Sequence, residues 1–441
     1  MDETERRIIG TIDAHRGEII DFATDIYTHA ELGYKEFRTA EKFTRAMRAL
    51  SLPVTEHLAI TGAKAYLNEE KKGAASIALL GELDALRIPQ HAFYNPETEG
   101  AHCCGHHAQM AGVFGAALAL TVPEVADALS GQVVFFATPA EEYGEIAFKK
   151  SLRAAGKIRY GGGKCELLRT GAFDDIDLCL AHHIAPDPAI QIGNGSGNGF
   201  VSKVIRCRGR AAHAADFFII EKGVNALAIA SLGLSALGLT RETFRDEDSV
   251  RVHPIITKGG DLVNVIPGEV VLETLVRGKT IEAFADAAAK TDRCFCGGAV
   301  AMGGSVEIET MPGYLPVLAE APLPELRAAA ELITSPGNIK VRSAHSGGST
   351  DVGDVQHLMP VYTFNTGGIA GDLHQVEFAM TDEEKAYIDT AKMFALTAYR
   401  LLKDGAVRAR ELKANYRPVF ASRNDYVAFM EQFDKTETFG A

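Results

Sequence analysis

The chain is 441 residues long, so more than one core is expected, and 46% hydrophobic with 23% charged residues is the profile of a globular protein. A formal net charge of −13, with acids and bases interspersed, excludes the clustered Lys and Arg that nucleic acid requires. The longest apolar runs, such as residues 76–80 and 133–138, are too short for a membrane span, and the opening MDETERRIIGTID lacks the apolar centre of a secretory signal, so a cytoplasmic protein with no membrane partner is expected.

Residues 3–50 read as helical from Ile8, Ile12, Ile19, Phe22, Ile26, Phe43 and Met47, with a break near Gly33. Strand-like runs follow at 63–68 and 75–80. An Ala-rich helix is then predicted over 108–120 and a strand over 132–137. Strands alternating with helices imply an α/β layered domain with a largely parallel sheet. From Gly199 the rhythm changes. A strand at 199–208, a helix at 222–238, strands at 250–257 and 269–277, a helix at 281–302 and a strand at 305–310 give the order β-α-β-β-α-β of a ferredoxin-like sandwich. Strand and helix signals resume at 360–364 and 382–402. The expected organisation is therefore a first domain split into 1–191 and 311–441, with 192–310 inserted. The aromatic tail 403–441 should pack as a terminal helix and a strap.

Seven cysteines are an odd number for a disulfide framework and mostly suit buried thiols. Cys104 is the exception because of its neighbours. In the segment AHCCGHH, Cys104 and His106 lie two apart across a glycine, and thiolate with imidazole is a preferred donor set for zinc and related ions. The strand at 132–137 runs directly into Glu141 and Glu142. If successive side chains alternate there, one carboxylate can bind an ion while the other faces a water. A buried strand end is a costly place for two like charges unless a cation compensates. A third strand, near 177–180, delivers His182 and His183 to the same kind of edge, where ligands of open α/β sheets gather. His374 follows the 360–364 strand in a glycine-rich turn. The pairs Cys103/Cys104 and His182/His183 leave each register open by one residue.

The segments HAELGYKEFRTAEKF, GELDALRIP, GAHCCGHHAQMAG, TPAEE, HHIAPDPAIQIG, RGRAAHAA, TKGGDLVNVIPGE, STDVGD and GGIAGDLH carry a resemblance over nearly the whole chain. In this order they resemble the metallopeptidase and amidohydrolase family of aminoacylase, carboxypeptidase G and p-aminobenzoyl-glutamate hydrolase, on the p-aminobenzoyl-glutamate hydrolase branch with cysteine in the first metal motif. The resemblance implies a zinc-peptidase-like catalytic domain with one or two divalent ions and an inserted lid domain, 192–310, that forms a homodimer. It places Cys104, His106, Glu142, His183 and His374 as ligands and Glu141 as general base. His213 is similar to a lid histidine that reaches the partner's active site. Asn264 and Arg277 are similar to lid groups that hold the substrate's carbonyl and carboxylate. His107 departs from the pattern, standing where the family has Asp or Asn.

The expected chemistry is hydrolysis of an amide in an N-acyl amino acid, an aminobenzoyl-glutamate-like compound or a dipeptide. A divalent ion, zinc first and manganese, cobalt or nickel next, would polarise the carbonyl while Glu141 moves the proton. Two rivals stand beside it. A thiol enzyme would use Cys104 as nucleophile and His106 as base, leaving Glu141, Glu142 and His374 without roles. A non-catalytic metal-binding protein of the same fold would have no use for Glu141.

Overall fold

A computed structural model describes residues 1–216 and 222–440; the part of the expected insertion at 217–221 lies outside the described residues. The chain divides into two compact units. One comprises Met1–Gly195, Leu318–Ala344 and Asp354–Arg423, the other Ser196–Val317, His345–Gly353 and Asn424–Ala441.

The strands in chain order are β1 (Val54–Leu58), β2 (Gly62–Leu67), β3 (Ser76–Glu82), β4 (Gln132–Thr138), β5 (Leu178–Ile184), β6 (Ile190–Ile192), β7 (Gly199–Arg208), β8 (Arg251–Val252), β9 (Ile255–Lys258), β10 (Glu269–Gly278), β11 (Ser305–Tyr314), β12 (Ile339–Val341), β13 (Val361–Thr366), β14 (Ile369–Ala370), β15 (Ala379–Met380) and β16 (Lys435–Gly440).

In the first unit eight strands form one sheet in the order β1-β2-β4-β3-β5-β13-β6-β12. The pairs β4/β3, β3/β5, β5/β13 and β6/β12 are parallel, while β1/β2, β2/β4 and β13/β6 are antiparallel. β3 and β4 are buried along their whole length, which is why they read as unbroken apolar runs rather than alternating ones. The helix His106–Leu120 is also buried at every residue, as an Ala-, Gly- and Leu-rich helix with no polar face must be. It packs against the helix Asp389–Leu402 so closely that a Cβ on Gly112 would stand 2.3 Å from Thr390 Cγ2.

The second unit has the strand order β16-β11-β7-β10-β8, with β9 also paired to β10. β7, the helix Ala226–Thr240, β8–β9, β10, the helix Ile281–Met302 and β11 follow one another in the ferredoxin-like order. Ile205, Ile229, Leu272, Phe295 and Ile308 form the core between helices and sheet. The C-terminal tail supplies β16, which pairs antiparallel with β11 from Ser305↔Gly440 to Thr310↔Lys435 and covers that sheet edge. The strap expected of the tail is thus a strand. β9 lies towards the other edge, and all four of its residues are exposed.

Candidate metal centre

Five chain segments reach the C-terminal edge of the central strands in the first unit. β3 ends at Glu82, two residues before Asp84. β5 runs on through His182 and His183, further than the apolar pattern alone suggests, because both histidines remain in the ladder with β13. After β4, Pro139 cannot donate to a ladder and Ala140 turns with φ +49°. The Ala140 N–H donates to Glu36 Oε1 at 2.8 Å, holding this left-handed turn. Glu141 and Glu142 therefore lie beyond the strand, and the alternation assumed for them does not apply.

The helix His106–Leu120 begins at its histidine, with Cys104 immediately before the left-handed Gly105 (φ +85°). A Cβ on Gly105 would sit 2.2 Å from Ile184 Cγ2, so both backbone and space require glycine. The His374 N–H donates to the Cys103 carbonyl at 2.8 Å and pins the last loop to the same place.

Cys104 Sγ stands 3.4 Å from His183 Nε2 and 3.2 Å from His374 Nε2, and Glu142 Oε1 is 3.1 Å from His374 Nε2. The donor atoms fall into three sets, each within 4.8 Å: Cys104, His106 and His183; Cys104, Glu142 and His374; Glu82, His106 and Glu141. The first two share the Cys104 thiol. Cys103 lies in the apolar core with its thiol pushed up to about 12 by burial. His182 turns to the other sheet face, beside Phe364 and Phe394, within hydrogen-bond distance of the Thr366 and Thr390 hydroxyls at 2.7 and 3.2 Å.

These groups fit a cation. His106 Nε2 and Glu142 Oε1 are buried without a hydrogen bond; Glu82 Oε2 lies 3.1 Å from the first and His374 Nε2 3.1 Å from the second, both in poor alignment. Burial and Glu142 push the Cys104 thiol well above its usual range, so a thiolate there requires a positive ion. Burial opposes charge on His106, yet Cys104 and Glu82 carry its pKa well up. Glu142 moves the other way: burial opposes its charge, but the His374 imidazole beside it holds its carboxyl below the usual range.

Four residues to which the sequence assigned no role support this set. Asp84 faces His106 Nδ1 with its carbonyl at 2.8 Å and Oδ1 at 3.2 Å, and Asp84 Oδ2 accepts from the Glu142 N–H at 2.9 Å. It leaves His106 Nε2 as the free donor and fixes the backbone of a second candidate ligand. Glu82 accepts from Lys164 Nζ at 2.5 Å and Gln109 Nε2 at 2.7 Å. Acids at the end of a buried apolar strand were the available signal for Glu82 and Asp84, the same one that singled out Glu141 and Glu142. His107 takes no part. It is fully buried against Tyr27 and Tyr387, and burial lowers its pKa to about 3.

The remaining three predicted residues lie in the second unit. His213 and Asn264 are exposed neighbours on facing segments: His213 bridges to Val265, and the Ala214 N–H donates to the Asn264 carbonyl at 3.0 Å. Arg277 on β10 lies over the Phe200 ring at 5.3 Å and donates to Ser349 Oγ at 2.8 Å.

Two three-donor sets sharing one thiol, with a further carboxylate beside them at the sheet edge, have the layout of a two-ion metal centre. The chain belongs to peptidase family M20/M25/M40, whose profile matches residues 78–400. It is 29% identical over 284 residues to one of the subunits of p-aminobenzoyl-glutamate hydrolase of Escherichia coli K12, a match covering 63% of this chain and 54% of that protein. The chain thus spans about half the length of that relative. It is 26% identical to Xaa-Arg dipeptidase of Mus musculus over 89% of this chain and 88% of that protein. N-acetyl-L-cysteine deacetylase of Bacillus subtilis is 27% identical, with 59% of each covered. Two solved structures share the fold. A dinuclear metal-binding peptidase of the M20 family from Bacillus subtilis is 23% identical with TM-score 0.63, covering 88% of this chain and 99% of that one. An aminobenzoyl-glutamate utilization protein from Klebsiella pneumoniae is 18% identical with TM-score 0.64, covering 89% and 98%.

Proposed function

We propose that this chain is a metal-dependent amidohydrolase that cleaves the amide bond of an N-acyl amino acid, an aminobenzoyl-glutamate-like compound or a dipeptide. The observation that carries the reading is the Cys104 thiol, common to two donor sets, with Glu141 beside them and 4.0 Å from His106 Nε2. The three relatives' names describe one kind of bond, an acylated nitrogen on an amino acid.

Cys104, His106 and His183 would hold one ion, and Cys104, Glu142 and His374 a second. Thiolate, imidazole and carboxylate donors suit zinc first, with manganese, cobalt or nickel as alternatives. Divalent ions there supply polarisation of an amide carbonyl and acidification of the attacking water. Glu141 takes the proton from that water and returns it to the leaving amine. His213 of a second copy and Asn264 would donate to the oxyanion. Arg277, steadied by Phe200 and Ser349, would clamp the α-carboxylate with its planar fork. For the second copy, the second unit offers the exposed strand β9 together with exposed Ile255, Ile256, Leu262 and Val263.

The thiol-enzyme rival would leave Glu141, Glu142 and His374, which gather around the same thiol and histidine, without roles. The test is a hydrolysis screen of zinc-, manganese- and cobalt-reconstituted protein against N-acyl amino acids, aminobenzoyl-glutamate and dipeptides. Turnover supports the reading. Tight metal binding without turnover of any member overturns it in favour of a non-catalytic metal-binding protein.

A further inference from the structure

The sheet face that carries His183 continues into a row of polar residues ending in an arginine. In the parallel pair β5/β13, His183 stands opposite Asn365, so the two side chains share a face. Across the antiparallel pair β13/β6, Asn365 stands opposite Gln191, and its Nδ2 lies 3.5 Å from Gln191 Oε1. β12 continues the row, with Lys340 opposite Gln191. Arg342 lies two residues beyond Lys340, its N–H donating to the Ile192 carbonyl at 2.9 Å. Its Nη1 donates to Asn365 Oδ1, so the guanidinium reaches back along the row towards His183.

Three buried lysines have a carboxylate partner. Lys64 pairs with Asp175 at 2.5 Å, Lys164 with Glu82 at 2.5 Å and Lys203 with Asp292 at 2.8 Å. Among the described residues Arg342 has none, and its one side-chain partner is the neutral Asn365 amide. A largely desolvated guanidinium without a counter-charge is costly, and one hydrogen bond leaves most of its five donors unused. Burial pulls its pKa below the ordinary arginine value with no carboxylate acting against it. The side chain is half-buried, so it remains open to an incoming group.

We propose that Arg342 forms an anion subsite in the first unit that receives a carboxylate of the substrate beside the His183 position. This rests on the amidohydrolase reading and deepens it. The substrate class narrows to amides bearing an anionic carboxylate in reach of the ions, and Arg342 is a specificity residue separate from Arg277. The fork geometry of guanidinium matches a planar carboxylate by two parallel hydrogen bonds, and Asn365 fixes the plane.

Calorimetry with glutarate on the full-length, zinc-loaded chain tests this without requiring turnover. Arg342→Gln should weaken glutarate binding about 10- to 100-fold, the range for loss of a charge-assisted pair, and Arg342→Lys should recover part of it. Glutaramide binding should not depend on position 342. Where the Gln variant fails to fold, the Lys variant, which keeps the charge and loses the fork, should still show a measurable loss. If the wild type is active, the ratio of kcat/KM for an N-acyl amino acid over its carboxamide should fall about 10- to 100-fold in Arg342→Gln. Equal losses for acid and amide would assign Arg342 to positioning Asn365 and His183 and overturn the subsite. Undetectable glutarate binding by the wild type, equal binding by a folded variant, or stronger Arg342 dependence for inorganic phosphate than for glutarate would overturn it too. Absence of all hydrolysis would sink the amidohydrolase reading while the calorimetry still decided the subsite.

Discussion

At the scale of single residues, Glu141 and Glu142 are chain neighbours in different environments. Glu142 faces His374 and the shared thiol, while Glu141 groups with Glu82 and His106. Glu141→Gln should therefore keep its metal and lower kcat by roughly 100- to 10,000-fold with little change in KM, since it removes a base that acts during proton transfer. Glu142→Gln should weaken metal retention by at least about tenfold, measured by metal content after dialysis, because even residues that only support a ligand commonly cost that much. The opposite pattern would exchange the two roles. Cys104 offers a second check. Its thiol should resist alkylation in metal-loaded protein and become modifiable after stripping, with peptide mapping to separate it from Cys103. A covalent acyl group trapped on Cys104 would instead establish the nucleophile rival.

The same residues show how far the sequence could be read. Cys104, His106, Glu142, His183 and His374 were legible as candidates because thiol, imidazole and carboxylate groups gather where apolar strands end or an apolar helix opens, while the choice of these five came from the family resemblance. The residues alone left His182 and His183 open by one position; the family resemblance favoured His183, and the pairing with β13 puts His182 on the opposite sheet face. Arg342 gave no signal. It is one arginine after a three-residue strand, and only the long-range pairing of β12 with β6 brings it onto the His183 face.

At the scale of elements, the turn before the helix His106–Leu120 concentrates the geometry. Gly105→Ala adds a side chain to a left-handed residue and drives it into Ile184. The expected cost is about 2–4 kcal/mol, from backbone strain together with overpacking. Thermal unfolding of metal-free protein should show it as a lower midpoint, and metal content should fall because Cys104 and His106 flank the turn. A variant with wild-type stability and full metal content would mean that the turn does not set the ligand geometry. Elements of strong period, such as β7, β10 and the helix Ile281–Met302, were readable within a few residues. β6, β12 and β16 were not. Two are three residues long, and β16 gains its strand structure by pairing with β11, some 130 positions earlier in the chain.

At the scale of the molecule, a chelator should abolish hydrolysis and lower the unfolding midpoint together, since an ion that binds only the folded centre stabilises it by mass action. Readdition of zinc should restore both, and full activity in thoroughly stripped protein would remove the metal from the reaction. Assembly provides the last prediction. His213 and Asn264 stand on neighbouring exposed segments of the second unit, near the exposed β9 and the apolar residues Leu262 and Val263. If that face joins two copies, His213 of one copy completes the centre of the other, and an isolated chain lacks an oxyanion donor. Removing one such donor commonly costs 100- to 1000-fold in kcat, roughly. His213→Ala and Glu141→Gln should therefore each be nearly inactive alone, yet a mixture should regain activity, because one of the two sites in a mixed dimer has both wild-type groups. Random exchange of equal amounts makes half of the dimers mixed, so the recovery should approach a quarter of the wild-type rate per site. Demonstrated exchange of protomers without recovery, or full activity in a stable monomer, would place the whole site within one chain.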